Sequence, residues 1–226
     1  MLREGALEEI SDGKLYTPRD MVRADTAGCK GCSRCCEVMV DSIVLTPLDV
    51  HHLSEATGKT LTELVEDGKL ELTIRDGMLI PVLHGAPKRD VAGNPIRNAY
   101  GEELRPCPFL NESGQCSVYK KRPDLCRLFP LGRIYTEDGF SYFLQDGECD
   151  HPRSKVKVKK WIADAAIDDE RYAEFLLHWH EIAVAMRGQT PNETVIRRVF
   201  SLFYAPYESG DFYAEFEVRR EALLHA

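Results

Sequence analysis

Four of the chain's eight cysteines fall within eight residues, as Cys29-x2-Cys32-x2-Cys35-Cys36, flanked by Gly28, Lys30, Gly31, Ser33 and Arg34. Structural free cysteines are buried one at a time as small apolar side chains, so packing does not account for such a run. Redox compartment decides how the count is read. The stretch Met1 to Ile10 carries Arg3, Glu4, Glu8 and Glu9 and so lacks the apolar segment of a signal peptide, and no uninterrupted apolar run approaches membrane-spanning length. The expectation is a cytoplasmic chain with reduced thiols, in which clustered cysteines hold metal rather than pair as disulfides.

A Cys-x2-Cys turn curls over one centre and brings two sulfurs and nearby amides around it. A structural zinc site joins two such pairs. Here the spacing is triple, Cys-x2-Cys-x2-Cys, like the thiolate run that wraps a cubane iron-sulfur cluster. In bacterial ferredoxins that run continues x3-Cys-Pro, whereas here Cys36 and Glu37 follow at once, so the ferredoxin motif is absent. Adjacent side chains of an extended segment point to opposite sides, and the pair Cys35-Cys36 is expected to serve two directions. The remaining cysteines, Cys107, Cys116, Cys126 and Cys149, include no Cys-x2-Cys pair and have to be gathered by folding. Eight thiolates fill two four-coordinate centres; one centre with four further cysteines in structural or redox roles fits the same count.

Charge points the same way. A zinc ion or an oxidised cubane core, each about +2, leaves about −2 per centre with four thiolates and calls for cationic neighbours. In a chain of formal net charge −8, Lys30, Arg34, Lys120, Lys121, Arg122, Arg127 and Arg133 lie within or beside the cysteine segments. Lys120 and Lys121 are accounted for equally well as a solvated basic face. The overall acidity argues against nucleic acid or an anionic membrane as partner.

Cys29-x2-Cys32-x2-Cys35-Cys36, Cys107-Pro108-Phe109-Leu110, Cys116-Ser117-Val118-Tyr119, Arg122-Pro123 and Cys126-Arg127-Leu128-Phe129-Pro130 together resemble the CxxCxxCC cysteine-cluster family of zinc- or iron-chelating proteins. That family is also associated with the flagellin lysine N-methylase. The resemblance runs from Cys29 to Cys149 and implies metal binding by the matching cysteines, with Arg122, Pro123 and Arg127 as supporting residues.

The rest of the chain reads as α+β: a small irregular metal-nucleated module of short strands and hairpins over residues 1–154, its core at 29–149, with a helical extension over 155–226 packed on it. Residues 1–28 show weak periodicity and read as a lead-in. Val38-Met39-Val40 and Ile43-Val44-Leu45 look extended, Thr46-Pro47-Leu48-Asp49 starts a helix ending near Gly58, and Thr60 with Glu63 forms a capping box for a short helix closed by Gly68. Leu70–Ile74 and Met78–Ile80 flank a hairpin turn at Asp76-Gly77. Residues 84–103 lack a sustained period and read as a long surface excursion; tight turns are expected at Glu112-Ser113-Gly114 and Glu137-Asp138-Gly139. Beyond Lys155, Tyr172, Phe175, Leu176, Trp179, Ile182, Ala183 and Met186 share one helical face, Thr190-Pro191-Asn192-Glu193 reads as a capping box opening a helix with Val195, Ile196, Val199, Phe200 and Phe203, and a last helix carries Phe212, Phe216, Leu223 and Leu224.

Other metal-capable side chains are assigned plainer roles. His178 and His180 lie at i, i+2 on different faces; His51-His52 straddles a helix face; His151 reads as an exposed loop residue, although it is placed to substitute for Cys149. Asp168, Asp169 and Glu170 cap a helix. Cys32 and Cys36 have the first spacing of a radical-SAM Cys-x3-Cys-x2-Cys motif, but Met39 stands where the third cysteine belongs. The function expected is metal binding, with one or two iron-sulfur clusters, in electron transfer, metal handling or support of a partner enzyme. A lysine N-methylase-like enzyme acting on a protein substrate and a structural zinc scaffold for a protein partner are the alternatives.

Overall fold

The computed structural model describes residues 7–25, 33–38, 43–98, 101, 103–136, 139–145, 153–187 and 192–225. In chain order these form α1 (Leu7–Ile10), β1 (Met21–Asp25), α2 (Arg34–Val38), α3 (Pro47–Thr57), α4 (Leu61–Glu66), β2 (Leu70–Arg75), β3 (Met78–Leu83), α5 (Asp124–Leu128), β4 (Leu131–Thr136), β5 (Gly139–Leu144), β6 (Ser154–Lys157), α6 (Val158–Asp164), α7 (Glu170–Arg187), α8 (Glu193–Phe203) and α9 (Phe212–Leu224). The class is α+β, with short strands interleaved among short helices as far as β6 and the helices α6–α9 closing the chain.

Local chemistry sets the middle of the chain. Thr46 Oγ1 accepts from the Asp49 amide while Asp49 Oδ2 accepts from the Thr46 amide, 3.2 and 2.9 Å, and Thr60 and Glu63 repeat the exchange. Gly58, in the left-handed region, ends α3. Asp76 and Gly77 both take positive φ, the twist a two-residue hairpin needs, and set β2 against β3 from Leu70↔Leu83 to Arg75↔Met78. The strands join as three separate antiparallel ribbons, β1–β6, β2–β3 and β4–β5.

A two-stranded ribbon buries too little to stand alone, so each lays one face on a shared core. One buried cluster takes in Val22 and Val156 from the first ribbon, Leu45, Leu53, Leu64 and Leu70 from the middle, Leu128 and Leu131 beside the distal cysteines, and Phe175, Phe203 and Phe216 from the last three helices. Phe175 and Phe216 meet edge to face at 4.8 Å, and the buried Tyr204 hydroxyl donates to Leu45 O at 2.9 Å, tying α8 to the segment that precedes α3.

Several expectations are corrected. The segment 1–28 is not all lead-in: Val22 and Ala24 are buried where β1 pairs with β6, a partner too remote in sequence for local periodicity to reveal. Val38 closes helix α2 rather than opening a strand, and Cys35 and Cys36 lie on a helical turn instead of an extended segment. The cap of α8 is Asn192, whose side chain accepts from the amides of Thr194 and Val195; Thr190 lies outside the described residues. Residues 84–98 are mostly exposed, in keeping with the surface excursion read from the sequence, and isolated bridges tie them together. Lys88 and Ile96, and Arg97 and Glu103, form nested antiparallel pairs, closed by an Asp90 side chain that accepts from the amides of Ala92 and Asn94.

Candidate metal centre

Cys35 and Cys36 sit on α2, adjacent on a helical turn, with their sulfurs 4.0 Å apart. The same turn aims Ser33 Oγ at Glu37 Oε1, 2.7 Å away. Arg105 and Cys107 then run beside it: the Arg105 amide donates to Glu37 O and the Cys107 amide to Cys36 O, both at 2.6 Å. Two cysteines that lie far apart in sequence are thereby held side by side through the backbone.

Cys116 is brought in by a second local device. Asn111 Oδ1 accepts from the amides of Ser113 and Gln115, which tightens the turn at Gly114 and pairs Leu110 with Cys116. Cys126 comes from α5. Cys35, Cys36, Cys107, Cys116 and Cys126 are all free thiols. Cys36, Cys107, Cys116 and Cys126 lie near enough to feel one another's charge. Burial, and then the neighbouring sulfurs, pushes Cys107 up to about 12, and burial drives Cys116 and Cys126 upward as well. Cys36 moves the other way, to about 7, because the Cys35 thiol donates to it and Arg122 lies nearby. Packed like this, three thiols keep their protons; a cation among them inverts that balance and releases protons as it binds. Among the described residues no three His, Cys, Asp or Glu side chains already converge on one ion. Cys29, Cys32, Cys149 and His151 lie outside the described residues.

Arg122 provides the test of fit. Its guanidinium stacks on Tyr119, 4.1 Å from the ring centroid, and its charge reaches Cys36, Cys116 and Cys126. The buried Nε finds no acceptor among the described residues. A buried guanidinium N–H without a partner costs stability, and a negatively charged metal-thiolate group beside it supplies the acceptor it lacks. Arg127 is turned elsewhere. Its Nη1 donates to Ala166 O at 3.2 Å and its charge falls on Asp124 and His52, while its buried Nε and Nη2, like Arg122 Nε, find no partner among the described residues.

A model of the CxxCxxCC family, described as a putative zinc- or iron-chelating domain, matches residues 28–149, more than half of the chain. The chain belongs to the CxxCxxCC family. No curated protein and no solved structure matches it. The CxxCxxCC segment therefore carries the chelating function, and the donor set the fold offers it is dominated by thiols.

Sequence reasoning missed what anchors Cys126. At the start of α5 the Asp124 amide donates to Asp49 Oδ1 at 2.7 Å, and the Asp124 carboxylate accepts from Arg133 Nη1 at 2.8 Å and from the Tyr172 hydroxyl. Both charged side chains of the Arg133 pair are nearly inaccessible, 6% and 7% exposed. Arg133 holds the Asp124 carboxyl below the usual range despite burial, while burial and the Asp124 charge push Asp49 up to about 6. The signal was present in Asp49, third residue of the α3 box, and in Asp124 beside Arg122-Pro123. Nothing local says that they meet.

The histidines take the plainer roles. His51 packs against Tyr207 and Phe212, His178 bonds Glu217 at 2.7 Å, and His180 stacks on Tyr135 at 3.7 Å between centroids. His52 is the exception, with a buried Nδ1 that has no partner among the described residues. Among the described residues no helix is long and apolar enough to cross a membrane.

Proposed function

We propose that this CxxCxxCC protein is an iron-sulfur protein, binding one or two clusters through Cys29, Cys32, Cys35 and Cys36 and through Cys107, Cys116, Cys126 and Cys149. The observation that carries the reading is Arg122: a half-buried side chain whose buried Nε has no acceptor among the described residues and whose charge acts on Cys36, Cys116 and Cys126. The triple Cys-x2-Cys-x2-Cys spacing favours a cluster over a lone zinc ion, whose structural sites join two Cys-x2-Cys pairs. A bound cluster supplies one-electron redox chemistry, or iron and sulfide for a partner. The chain itself supplies thiolates, a cationic hydrogen-bond donor and an apolar floor from Leu128 and Phe109. Electron transfer, metal handling and support of a partner enzyme in the cytoplasm all use this one property.

Anaerobic purification followed by iron, acid-labile sulfide and zinc analysis tests it. Iron and sulfide in equal amounts, with visible absorption bleached by dithionite, are expected. Loss of both in Cys107→Ala and Cys126→Ala ties them to the site. Stoichiometric zinc without sulfide replaces the reading with a zinc scaffold, and a folded, colourless, metal-free protein removes it.

A further inference from the structure

The ribbon β1–β6 has a face with an unusual charge. Val22 and Ala24 of β1 and Val156 of β6 point into the core, followed by Val158 at the start of α6. By alternation the other residues point out: Met21, Arg23 and the half-buried Asp25 from one strand, Lys155 and Lys157 from the other. Arg19, in the turn before β1, and Lys159, in the first turn of α6, are exposed at the ends of the ribbon. The Val158 and Lys159 amides donate to Asp20 O and Pro18 O at 3.0 and 2.9 Å, which joins the two ends. All five cationic side chains are exposed, and among the described residues none is in an ion pair.

The acids nearby offset this face only in part. Asp164 is taken by Lys160 at 2.6 Å within α6, while Asp20, bonded to the Thr17 amide and hydroxyl, and Asp25, accepting from Ser154 Oγ at 3.2 Å, keep their charge and are outnumbered by the five cations. One or two lysines suffice to protect an exposed strand edge, whereas here Arg23, Lys155 and Lys157 on the ribbon, with Arg19 and Lys159 at its ends, gather five cations in a chain of net charge −8.

The ribbon leads directly into α6, which touches the helix that carries Cys126. Trp161 Nε1, one turn into α6, donates to Leu128 O at 2.9 Å, at the end of the helix that carries Cys126. In sequence, β1 ends four residues before Cys29 and β6 begins five after Cys149, lengths that span at most about 18 Å of extended chain.

We propose that the outward face of β1–β6, with Arg19, Arg23, Lys155, Lys157 and Lys159, is a docking surface for a protein partner that presents an acidic patch, and that it seats that partner beside the metal centre. A long polyanion or a membrane sheet also meets the acidic remainder of the chain, which repels it. The docking face rests on charge and placement alone; its purpose beside the centre rests on the metal reading.

The test uses the full, metal-loaded chain and a fluorescein-labelled glutamate-rich peptide, with duplex DNA and phosphatidylserine vesicles as parallel probes, at low and physiological salt. Salt-dependent peptide binding is expected, roughly tenfold weaker in Lys155→Gln/Lys157→Gln/Lys159→Gln and in Arg19→Gln/Arg23→Gln, and unchanged in Lys120→Gln/Lys121→Gln. The two strands are probed separately so that a folding defect in one variant leaves the other to decide. No binding at low salt, binding that both strand variants retain, or tighter binding to DNA or vesicles overturns the proposal. Metal content measured on every sample separates failure of the centre from failure of the docking face.

Discussion

The Asp124 amide donates to Asp49 Oδ1 at 2.7 Å, so the start of the Cys126 helix is capped by a carboxylate from a helix 75 positions earlier. The Asp124 side chain continues the link, through Arg133 and Tyr172, to β4 and to α7. A single buried ionic cluster thus fixes three elements around one cysteine. Removing one partner of a buried ion pair leaves an uncompensated charge, so Asp124→Asn is expected to cost about 3–5 kcal/mol. Tyr172→Phe removes one donor and should cost about 1–3 kcal/mol. Urea unfolding of both variants measures the difference, and equal costs would contradict a dominant role for the Arg133 pair.

Acid should act through His52. Burial, followed by Lys121 and Arg127, lowers it from 6.5 to about 3, so the folded chain refuses a proton that the unfolded chain accepts. The sign follows from proton counting. Between about 3 and 6.5 the unfolded state binds more protons, and stability is full above that window and falls as pH drops through it. His52→Leu removes the titrating group together with its unpartnered Nδ1. Its unfolding free energy should vary less with pH across the window than that of the parent chain, and parallel pH profiles would exclude His52 as a source.

On the iron-sulfur reading proposed above, Arg122 makes a redox prediction. A cationic donor beside a cluster stabilises the reduced, more negative form, so Arg122→Gln should shift the midpoint potential downward while the cluster stays bound. Arg127→Gln should leave the potential nearer the parent value, since the Arg127 charge falls on Asp124 and His52, whereas the Arg122 charge acts on Cys36, Cys116 and Cys126. Potentiometric titration of the two variants distinguishes them, and an equal shift from both would mean that the N–H left open on Arg122 is not directed at sulfur.

What could be read from the residues in advance was what local chemistry decides. Thr46 with Asp49, Thr60 with Glu63 and the Asp76-Gly77 turn each settle their conformation within four residues, and each formed as read. The fold class and the family were legible for related reasons, since hairpins, helices and ordered cysteine motifs are short-range patterns. The partner of β1 was not, because Val22 meets Val156 only after nearly the whole cysteine segment has folded between them. Neither was the helical setting of Cys35 and Cys36, where a short run with apolar Val38 reads equally well as strand or helix. The Asp49–Asp124–Arg133 cluster was hidden for a third reason. Acidic and basic residues are common, and only three-dimensional placement says which are denied water.

Gly77 marks where the β2–β3 hairpin meets the end of α7. It holds φ at +75°, and a Cβ built there would lie 2.8 Å from the main-chain oxygen of Met186. Beside it Arg187 Nη2 reaches Asp76 Oδ2 at 2.8 Å, a half-exposed pair worth about 1 kcal/mol or less. Gly114 has a similar φ of +72° but nothing within 4 Å of its own Cβ position. Gly114→Ala should therefore cost only the left-handed strain, about 1–2 kcal/mol, whereas Gly77→Ala adds a clash with backbone that cannot rotate away. Thermal unfolding should place Gly77→Ala clearly below Gly114→Ala, with the near-ultraviolet signal of the Trp179 cluster lost at the lower temperature. If the two substitutions cost the same, the hairpin tip does not press on α7, and the junction is held by the Arg187–Asp76 pair alone.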